Sequence, residues 1–569
     1  MLDYRTVKSE VLVLGGGMAG LAAAIAAARE GADVLLASWG APGKSGATYY
    51  DVAEVGAMNA PDGSADPTDS AEVFYNDIVS AALSTASLPL CRILAEEAVG
   101  ALERVAALPG GDAVFERKQG VYKVFRACFS SKPRSHIIHD HFRPLLSVLL
   151  AEALRLGVRF LDGVAVAELF VQGGQCWGAY GIDEKGEGLL FLAKAVVLAA
   201  GGASQLFAHN MYPCDVMGGG YAAAHRAGAR MTNMEFVQMG IGVAHPFINL
   251  FEHYLWDSYP KLRNGAGKAF LQETLPEGVT EQNAIFDKSH HFPFSTRDRS
   301  QYIEIAVQKE INRGNTTKNG NVLLDLDTHT FHALLQEENN FSKMWRTTEA
   351  WYGNKGVDLL KQPPEIACFA HAINGGVLID EHAMSSVGGL FAVGEVAAGP
   401  HGADRLGGNM SLTSQVFGNI AGRESARMAK AVHAFADGSD FMKKSHAFYS
   451  TIAIPDGVSA EELLAQIRRC ADRSLLIVRN EAGLQSYYDQ LRAYQAAMEQ
   501  KSGGQRPGTI DRVAVNLYHL LESGALITMA ARARKESRGS HYREDYPHMS
   551  EAYACNYVIV NGTGQFEKI

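Results

Sequence analysis

The hydrophobic pattern of the first forty residues predicts a strand, a helix and a second strand. Residues 10–14 (EVLVL) are a short apolar run with the length and β-branched content of a buried parallel strand. An alanine-rich helical pattern follows over 21–30. A second apolar run over 33–37 begins after Gly31, a residue type that commonly ends helices. The chain therefore begins as an α/β fold.

The turn between the first strand and the helix carries three spaced glycines. They are Gly15, Gly17 and Gly20, in the pattern G-x-G-x-x-G. Glycines at this spacing allow a tight turn and a close approach of the backbone, so that a pyrophosphate can bind at the helix N-terminus. With a strand before it and a helix after it, the pattern predicts a dinucleotide site.

The second strand ends at Ser38 and Trp39, where dinucleotide folds usually place an acidic residue for the adenosine ribose. A serine offers the ribose a single hydroxyl, whereas a carboxylate can accept two hydrogen bonds from it. Ser38 therefore either contacts the ribose or simply ends the strand. An arginine at this position would favour NADP, and the sequence has none there.

Three later segments have the features of nucleotide-site backbone. Residues 195–202 (AVVLAAGG) predict a buried strand that ends in small residues, and 389–396 (GLFAVGEV) predict a strand that delivers Glu395. Residues 401–412 form a glycine-rich loop leading into an apolar helix, where N–H groups and the helix dipole can face a phosphate or an electron-rich ring. Together they predict a discontinuous flavin-type site.

The apolar periodicity is lost over 245–300, where aromatic residues, Pro, Asn and Gly become frequent. Helical spacing of apolar residues predicts helices elsewhere, over 144–156, 303–313, 461–473 and 482–498.

Composition narrows the function classes. The 569 residues include 52 Lys and Arg against 62 Asp and Glu, a net charge of −10 that argues against nucleic-acid binding. The sequence shows no apolar run of about 20 residues, so we expect no membrane span. The seven cysteines are scattered without a CxxC pair, which indicates reduced thiols in a cytoplasmic protein and excludes a familiar iron–sulfur spacing.

The ordered motifs resemble one flavoprotein family, that of fumarate reductase, succinate dehydrogenase and L-aspartate oxidase, with adenylylsulfate reductase as a more distant relative. The segments that carry the resemblance span nearly the whole chain. They are GGGMAGLAAA, VVLAAGG, GGGYAAAHRAGA, MEFVQ, HAINGGV, GLFAVGEV, HGADRLGGN and ARARKESRGSHYREDYP.

The resemblance implies an architecture and a reaction. We expect an α/β fold, with a Rossmann-like FAD-binding domain in two parts (1–240 and 366–430), an inserted α+β capping domain (241–365) and a C-terminal helical region (431–569). We expect an FAD-dependent oxidoreductase that transfers a hydride between flavin N5 and an anionic substrate, at a carbon beside a carboxylate.

The resemblance also implies the residues that bind FAD. Gly46 stands where the dehydrogenases carry the histidine bonded to flavin, so FAD should be non-covalent. The expected FAD-binding residues are Gly15, Gly17, Met18, Ala19, Gly20, Ser38, Trp39, Lys44, Ser45, Gly46, Ala47, Thr48, Ala200, Gly201, Gly394, Glu395, Asn409, Ser411 and Leu412.

Catalytic candidates follow from the same motifs. Arg405 stands at the family's carboxylate-clamping arginine and His371 at its substrate histidine. An arginine fork suits this role because it donates two parallel hydrogen bonds. The family's proton-donating arginine corresponds to Arg297 or Arg299, and the spacing leaves both open.

The sequence departs from the family at the second carboxylate contact. After MEFVQ the family has a substrate histidine, and here Gly240 stands at that position. His245 lies five residues further on and could refill the space. The family's acidic glycine block is not recognisable, and only 271–281 resembles it. We therefore expect succinate and fumarate to be poor substrates. The preferred substrate should carry one carboxylate, or a bulkier anionic group beside Gly240.

Three histidines, His136, His139 and His141, precede the predicted helix 144–156. They could contact flavin or an anionic substrate, and we expect no metal site. Electrons should come from a separate iron–sulfur or ferredoxin-like subunit, a free reduced carrier, or pass to oxygen. Two alternatives stay open: an enzyme like adenylylsulfate reductase with a non-dicarboxylate substrate, and a non-catalytic flavoprotein that relays electrons.

Overall fold

The structure is a computed structural model that describes residues 5–53, 55–326, 328–499 and 509–569. The predicted first domain starts at residues 1–4, which lie outside this part of the chain.

The chain up to residue 245 supplies all strands but one of the described nucleotide-binding sheet, together with helices and strands of the smaller sheets. The strands are β1 (Arg5–Leu14), β2 (Val34–Ala37), β3 (Val55–Asn59), β4 (Arg117–Lys118), β5 (Val121–Tyr122), β6 (Val124–Phe125), β7 (Ser135–His139), β8 (Arg159–Leu161), β9 (Ala165–Gln172), β10 (Gln175–Ile182), β11 (Gly188–Leu198), β12 (Met231–Thr232) and β13 (Val237–His245). The helices are α1 (Met18–Arg29), α2 (Ala71–Ala82), α3 (Leu88–Glu96), α4 (Ala98–Ala106), α5 (Arg143–Arg155) and α6 (Gly219–Arg226).

The rest of the chain adds the inserted lobe, the return to the nucleotide-binding part and a helical C-terminal region. The strands are β14 (Asn249–Leu250), β15 (Lys261–Arg263), β16 (Val322–Asp325), β17 (Glu365–Ile373), β18 (Gly376–Leu378), β19 (Leu390–Ala392), β20 (Ala397–Ala398), β21 (Asn556–Val560) and β22 (Thr563–Glu567). The helices are α7 (Glu281–Lys288), α8 (Gln301–Asn312), α9 (His329–Leu335), α10 (Asn340–Asn354), α11 (Asn409–Ala431), α12 (Ser439–Tyr449), α13 (Ala460–Ser474), α14 (Glu481–Glu499) and α15 (Arg512–Ala533).

The main sheet has the strand order of a dinucleotide-binding fold. Strands β8, β2, β1, β11 and β19 are parallel neighbours in that order, and the antiparallel β10 and β9 extend the sheet from β11. Because β1, β11 and β19 lie side by side, the loops after Leu14, Leu198 and Ala392 emerge at the same edge. The glycine turn and two of the later segments, 195–202 and 389–396, therefore meet there.

The inserted lobe has its own sheet. Its strand order is β14-β13-β17-β16-β15. Strands β13 and β17, which lead into and out of the lobe, pair with each other along their length. The predicted domain boundaries at 240 and 365 thus fall on these two strands.

Small residues bring α1 and α11 unusually close. A Cβ atom on Gly418 would lie 2.9 Å from the Ala22 Cβ, and one on Gly422 would lie 2.2 Å from the Ala23 carbonyl oxygen. These helices can approach so closely only because glycine and alanine face each other. The contact carries the N-terminus of α11 to the glycine turn that precedes α1.

The C-terminal region departs from an all-helical expectation at its end. The β21–β22 hairpin joins β12, β18 and β20 of the nucleotide-binding part in a second five-stranded sheet. Of the described helices, α15 alone is long and apolar enough to cross a membrane, and 78% of its apolar window is buried inside the protein. That is the position of a core helix.

Candidate active site

A cavity of about 1160 Å³ lies between the main sheet, α11 and the inserted lobe. Its walls come from the glycine turn after β1, the loop over 45–48, the ends of β11 and β19, and the loop before α11. The lobe closes it with residues from the 250–257 and 286–293 segments and from α10. Nearly all the predicted site segments therefore share one space.

Two helix N-termini point at this cavity. The N-cap residues of α1 and α11 are Gly17 and Gly408, and within the described chain neither helix has a side-chain cap. The first N–H groups of both helices are thus left for another acceptor, and the helix dipoles add positive potential there. This arrangement suits a diphosphate and an electron-rich ring.

The turn after β1 has no room for a side chain at two of its glycines. Gly15 has φ +125°, and a Cβ atom there would lie 2.2 Å from the Ala199 carbonyl oxygen. A Cβ atom on Gly20 would lie 1.9 Å from the Gly15 carbonyl oxygen. Any side chain would therefore push the turn away from β11 or α1, and the turn would lose its shape.

Most of the predicted cofactor residues line the cavity. They are Gly15, Gly17, Met18, Ala19, Ser38, Trp39, Ser45, Gly46, Ala47, Thr48, Ala200, Gly201, Gly394, Glu395 and Ser411.

Four predicted cofactor residues do not line it. Gly20 and Leu412 pack in the core, and Lys44 is exposed. Asn409 is buried and accepts a hydrogen bond from Asn59 Nδ2 at 2.6 Å. None of these four residues faces the cavity.

The end of β2 is held by its own loop. The Ser38 hydroxyl donates to the Gly40 carbonyl oxygen at 2.8 Å, so what it offers to a ribose is an acceptor lone pair. The Trp39 ring lies under the Arg512 guanidinium at 4.0 Å.

Gly46 lies in a turn with φ +75°, and its N–H donates to Asp215 Oδ2 at 2.9 Å. Among the described residues, no heavy atom lies within 4 Å of a Cβ position at Gly46. At this position the protein therefore presents backbone, and no nucleophilic side chain, to the cavity.

Glu395 is almost completely buried on the cavity wall. Its carboxyl accepts hydrogen bonds from the Tyr212 hydroxyl at 2.8 Å and from the Ile373 N–H at 2.9 Å. Burial raises the pKa of Glu395 to about 7. Its protonation state therefore changes in the physiological range.

Arg405 is fixed from one side and open on the other. One terminal nitrogen donates to the Leu406 carbonyl oxygen at 3.0 Å, and the other donates to Gln238 Oε1. Its Nε is buried without a partner among the described residues. Burial lowers the pKa of Arg405, while Tyr212 and Glu395 oppose the shift. Such a guanidinium is ready to bind an anion in the cavity.

His371 faces the same space. Its Nδ1 is buried and has no partner in the described part of the chain. Burial, together with Arg405 and His141, lowers the pKa of His371 to about 3. The ring is therefore neutral at physiological pH and can give one N–H donor to a ligand.

The space beside Gly240 is filled by the protein itself. A Cβ atom on Gly240 would lie 2.8 Å from Phe292 Cζ, and Phe292 lines the cavity. Phe292 therefore stands beside Gly240, and Gly240 itself does not line the cavity. His245 does not refill it either, because it is exposed at the far end of β13 beside Glu365.

The two candidate proton-donating arginines lie in different places, and neither lines the cavity. Arg297 donates to Asp404 Oδ2 at 3.2 Å and lies over the Phe129 ring, with 24% of its side chain exposed. Arg299 forms a two-pronged ion pair with Asp287 on the surface. Arg297 thus pairs with the residue that precedes Arg405, whereas Arg299 pairs with a residue of α7.

The three histidines of the 136–141 segment also differ in their surroundings. His136 is buried and bonds the Arg134 carbonyl oxygen and Asp62, a structural position. His141 lines the cavity, and burial lowers its pKa to about 4. His139 lies in β7. Within the described residues, no group of His, Cys, Asp and Glu could hold a metal ion.

Sequence reasoning missed part of the cavity wall. Segment 271–281, which stands near the place of the family's acidic glycine block without its glycines, does not line the cavity, whereas Glu252, His253 and Asp257 do. Cys128 and Phe292 were also missed, because neither stands in a recognisable motif. The available signal was the position of 249–257, directly after the segment that contains Gly240.

Two family models match the chain. The FAD binding domain model matches residues 10–411, and the fumarate reductase flavoprotein C-terminal model matches 465–567. The chain belongs to the fumarate reductase flavoprotein family. The predicted family, the FAD cofactor and the oxidoreductase activity are thereby confirmed.

Relatives of this flavoprotein cover its full length. It is 29% identical to one subunit of the CoM/CoB fumarate reductase of Methanothermobacter marburgensis, covering 96% of each chain. It is 30% identical to an uncharacterised FAD-dependent oxidoreductase of Methanocaldococcus jannaschii, over 99% of this chain and 98% of the other. Quinol fumarate reductase of E. coli has the same fold, with a TM-score of 0.80, 23% identity and coverage of 99% and 96%.

The cavity of this flavoprotein fits FAD. The glycine turn, whose Cβ positions are blocked, and the two helix N-termini without side-chain caps form a cradle for the diphosphate and the flavin ring. Bound FAD supplies hydride transfer. The chain's own residues must then bind the substrate anion, orient it and move one proton.

Proposed function

We propose that this FAD-dependent oxidoreductase adds or removes hydrogen across a carbon–carbon bond beside a single carboxylate, in a substrate whose other end is apolar. The observation that carries the proposal is that an aromatic ring walls the space beside the two unpartnered donors. Arg405, His371 and Phe292 all line the cavity, and the Phe292 and His371 ring centroids lie 5.7 Å apart.

The two unpartnered donors, Arg405 and His371, support binding of one carboxylate. Arg405 and His371 each keep a buried nitrogen without a partner in the described chain, and a carboxylate would satisfy both. An unmet buried donor costs about 1–3 kcal/mol, so an anion that pairs with it regains that free energy. These two residues also argue against a flavoprotein that only relays electrons.

The Phe292 wall supports a substrate without a second carboxylate. Phe292 is 8% exposed and packs with Val52, Met211 and Phe369. A carboxylate placed against this ring would lose hydration without gaining a donor, which costs several kcal/mol. A methyl or aryl group would instead gain contact area there.

Electron supply is the second part of the proposal. The described residues contain no cluster-ligand group, so we infer that a separate electron-transfer protein exchanges electrons with the flavin. The CoM/CoB fumarate reductase relative is itself named as a subunit, which supports a partner chain here.

The test is anaerobic reoxidation of the photoreduced flavin by crotonate, trans-cinnamate and fumarate, followed by absorbance. We expect crotonate or cinnamate to give a kcat/KM at least tenfold above that of fumarate. Phe292→His should narrow that gap by restoring a donor near Gly240. A fumarate kcat/KM above those of both monocarboxylates would refute the proposal.

Fumarate reduction is the second candidate, because one observation favours it. His253 lines the cavity from the lobe and lies near Lys288, His290 and Arg126, a basic neighbourhood that could receive a second carboxylate. The same assay separates the two candidates. If fumarate is preferred and His253→Ala removes the preference, this second function stands.

A further inference from the structure

The end of β2 lacks the usual contact for the adenosine half of FAD. In dinucleotide-binding folds the glycine turn holds the diphosphate, and an acidic residue at the end of the second strand binds the adenosine ribose. Here the Ser38 hydroxyl donates to the Gly40 carbonyl oxygen at 2.8 Å, and Trp39 follows it in place of a carboxylate. Other groups around this part of the cavity must therefore carry more of the recognition.

One stripe of helix α15 faces the nucleotide-binding part of the chain. Arg512 Nη1 donates to the Gly163 carbonyl oxygen at 2.7 Å, and its guanidinium lies 4.0 Å from the centre of the Trp39 ring. Ser523 Oγ donates to the Gly218 carbonyl oxygen at 2.8 Å. The residues of the stripe recur at helical spacing and are Arg512, Asn516, His519 and Ser523. The stripe is thus anchored on both sides of Asn516.

Three elements converge beside this stripe. A Cβ atom on Gly219, the first residue of α6, would lie 3.5 Å from His519 Nδ1 and 3.9 Å from the Val166 carbonyl oxygen. Gly219 and Val166 both line the cavity, and Val166 lies in β9. Helix α15 therefore comes close to the cavity where α6 and β9 form its wall.

Asn516 is the residue of the stripe that reaches the cavity. Of the described residues after Ser414, it alone lines this space. Its amide makes no hydrogen bond within the described chain, whereas Arg512, His519 and Ser523 are all bonded to the nucleotide-binding part. An amide held on a cavity wall with both its donor and its acceptor free is suited to a polar ligand.

A primary amide is complementary to adenine. Its oxygen accepts a hydrogen bond beside the NH2 group, which donates one. Adenine presents the N6 amino donor beside a ring nitrogen that accepts, and asparagine pairs with this pattern when proteins read adenine in DNA. The flavin ring belongs at the opposite side of the cavity, at the N-terminus of α11 after Gly408. Adenine is therefore the part of FAD that Asn516 fits.

We propose that Asn516 is an adenine-binding residue of the FAD site. Its amide oxygen accepts a hydrogen bond from the N6 amino group, and its NH2 group donates to the adjacent ring nitrogen. Helix α15 of the C-terminal region thereby closes the adenosine end of the cavity, and Arg512 ties its first turn to Trp39. The contact concerns the cofactor alone, so it stands or fails separately from the proposed substrate.

The first test is competition between FAD and FMN. Holoenzyme is incubated with both flavins to equilibrium, and the bound flavins are released by acid and separated by chromatography. FMN has no adenine, so Asn516→Ala should lower the preference for FAD over FMN about tenfold or more, the size of a two-point base contact. Val513→Ala is the control, because Val513 lies in the same turn of α15 and is 52% exposed. An unchanged preference in Asn516→Ala would overturn the proposal.

A second ligand separates direct contact from support of the helix. An alkyl group on N6, as in N6-(2-aminoethyl)-FAD, should collide with Asn516 in the wild type and find room in Asn516→Ala. The preference for FAD over this analogue, measured by the same exchange, should therefore fall at least tenfold in Asn516→Ala and stay unchanged in Val513→Ala.

A purely structural role for Asn516 predicts a different result. Loss of helix support would weaken FAD and the N6-substituted analogue alike and leave their ratio at the wild-type value. That outcome would overturn the proposal even if Asn516→Ala binds FAD poorly. Where FMN binds too weakly to compete, the ratio of the two dinucleotides decides.

Discussion

Replacing Arg405 by lysine should leave FAD bound and nearly abolish turnover. The guanidinium is held through its two terminal nitrogens by Leu406 and Gln238, which aims the rest of the fork at the cavity. A lysine ammonium keeps the charge but cannot hold both anchors and a carboxylate in one plane. The lysine variant should therefore no longer orient the substrate carboxylate, while the electrostatic potential of the cavity stays similar.

The magnitude follows from the kind of contact that is lost. Losing a donor that acts on the reacting anion typically costs about 3–4 kcal/mol in the transition state. At 1.36 kcal/mol per tenfold, this predicts a fall in kcat/KM of about 150- to 900-fold. Arg427→Lys is a matched control, since Arg427 lies on α11 and pairs with Glu424 on the surface.

The assay is anaerobic reoxidation of the photoreduced flavin, with FAD content measured on the same samples. Arg405→Lys should retain one FAD per chain, and Arg427→Lys should match the wild type in both measurements. A lysine variant with kcat/KM within threefold of the wild type would remove Arg405 from the substrate clamp.

The remaining predictions concern the cofactor and its cradle. FAD should be released fully by acid precipitation because Gly46 offers no nucleophile, and yellow colour in the denatured pellet would contradict this. Gly20→Ala should lose FAD because its Cβ would lie 1.9 Å from the Gly15 carbonyl oxygen. Gly353→Ala, which has open space around it, should keep FAD. The FAD-to-protein absorbance ratio of each variant measures the bound cofactor. In the FAD-free protein, burial raises the pKa of the Glu395 carboxyl from an ordinary 4.5 to about 7. The folded state then binds this proton more tightly than the unfolded state, by about 3 kcal/mol. The free energy of unfolding should therefore fall as pH rises from about 4.5 to 7. Glu395→Gln should remove that slope in urea unfolding, and an unchanged slope would assign it to another group.

The sequence predicted the nucleotide-binding part well because its signals are local. A glycine turn between a strand and a helix depends on residues 10–30 alone, and the structure has that helix at α1. The glycine-rich loop before α11 was recognisable for the same reason. Arg405 and His371 could be named because each stands inside a motif.

The rest of the site could not be read from the chain because it depends on packing between distant segments. Phe292 fills the space beside Gly240 although it lies 52 residues further along the chain. No hydrophobic periodicity in the sequence predicts such a contact. Cys128 is adjacent to the Arg405 loop only after the sheet and α11 have assembled. Arg297 and Arg299 stand two residues apart, so only tertiary contacts distinguish them.

The tight contact between α1 and α11 has a consequence for biosynthesis. The glycine turn leaves the ribosome about 390 residues before the loop at Gly408, and both are needed to form the cradle. At about 5–20 residues per second, the nascent chain waits roughly 20–80 s with the first half of its cofactor site exposed. Flavin capture is then a late event in synthesis. A chain truncated or stalled before α11 should not bind FAD. Bound FAD, seen as yellow protein with quenched flavin fluorescence, therefore identifies molecules that have been translated past α11.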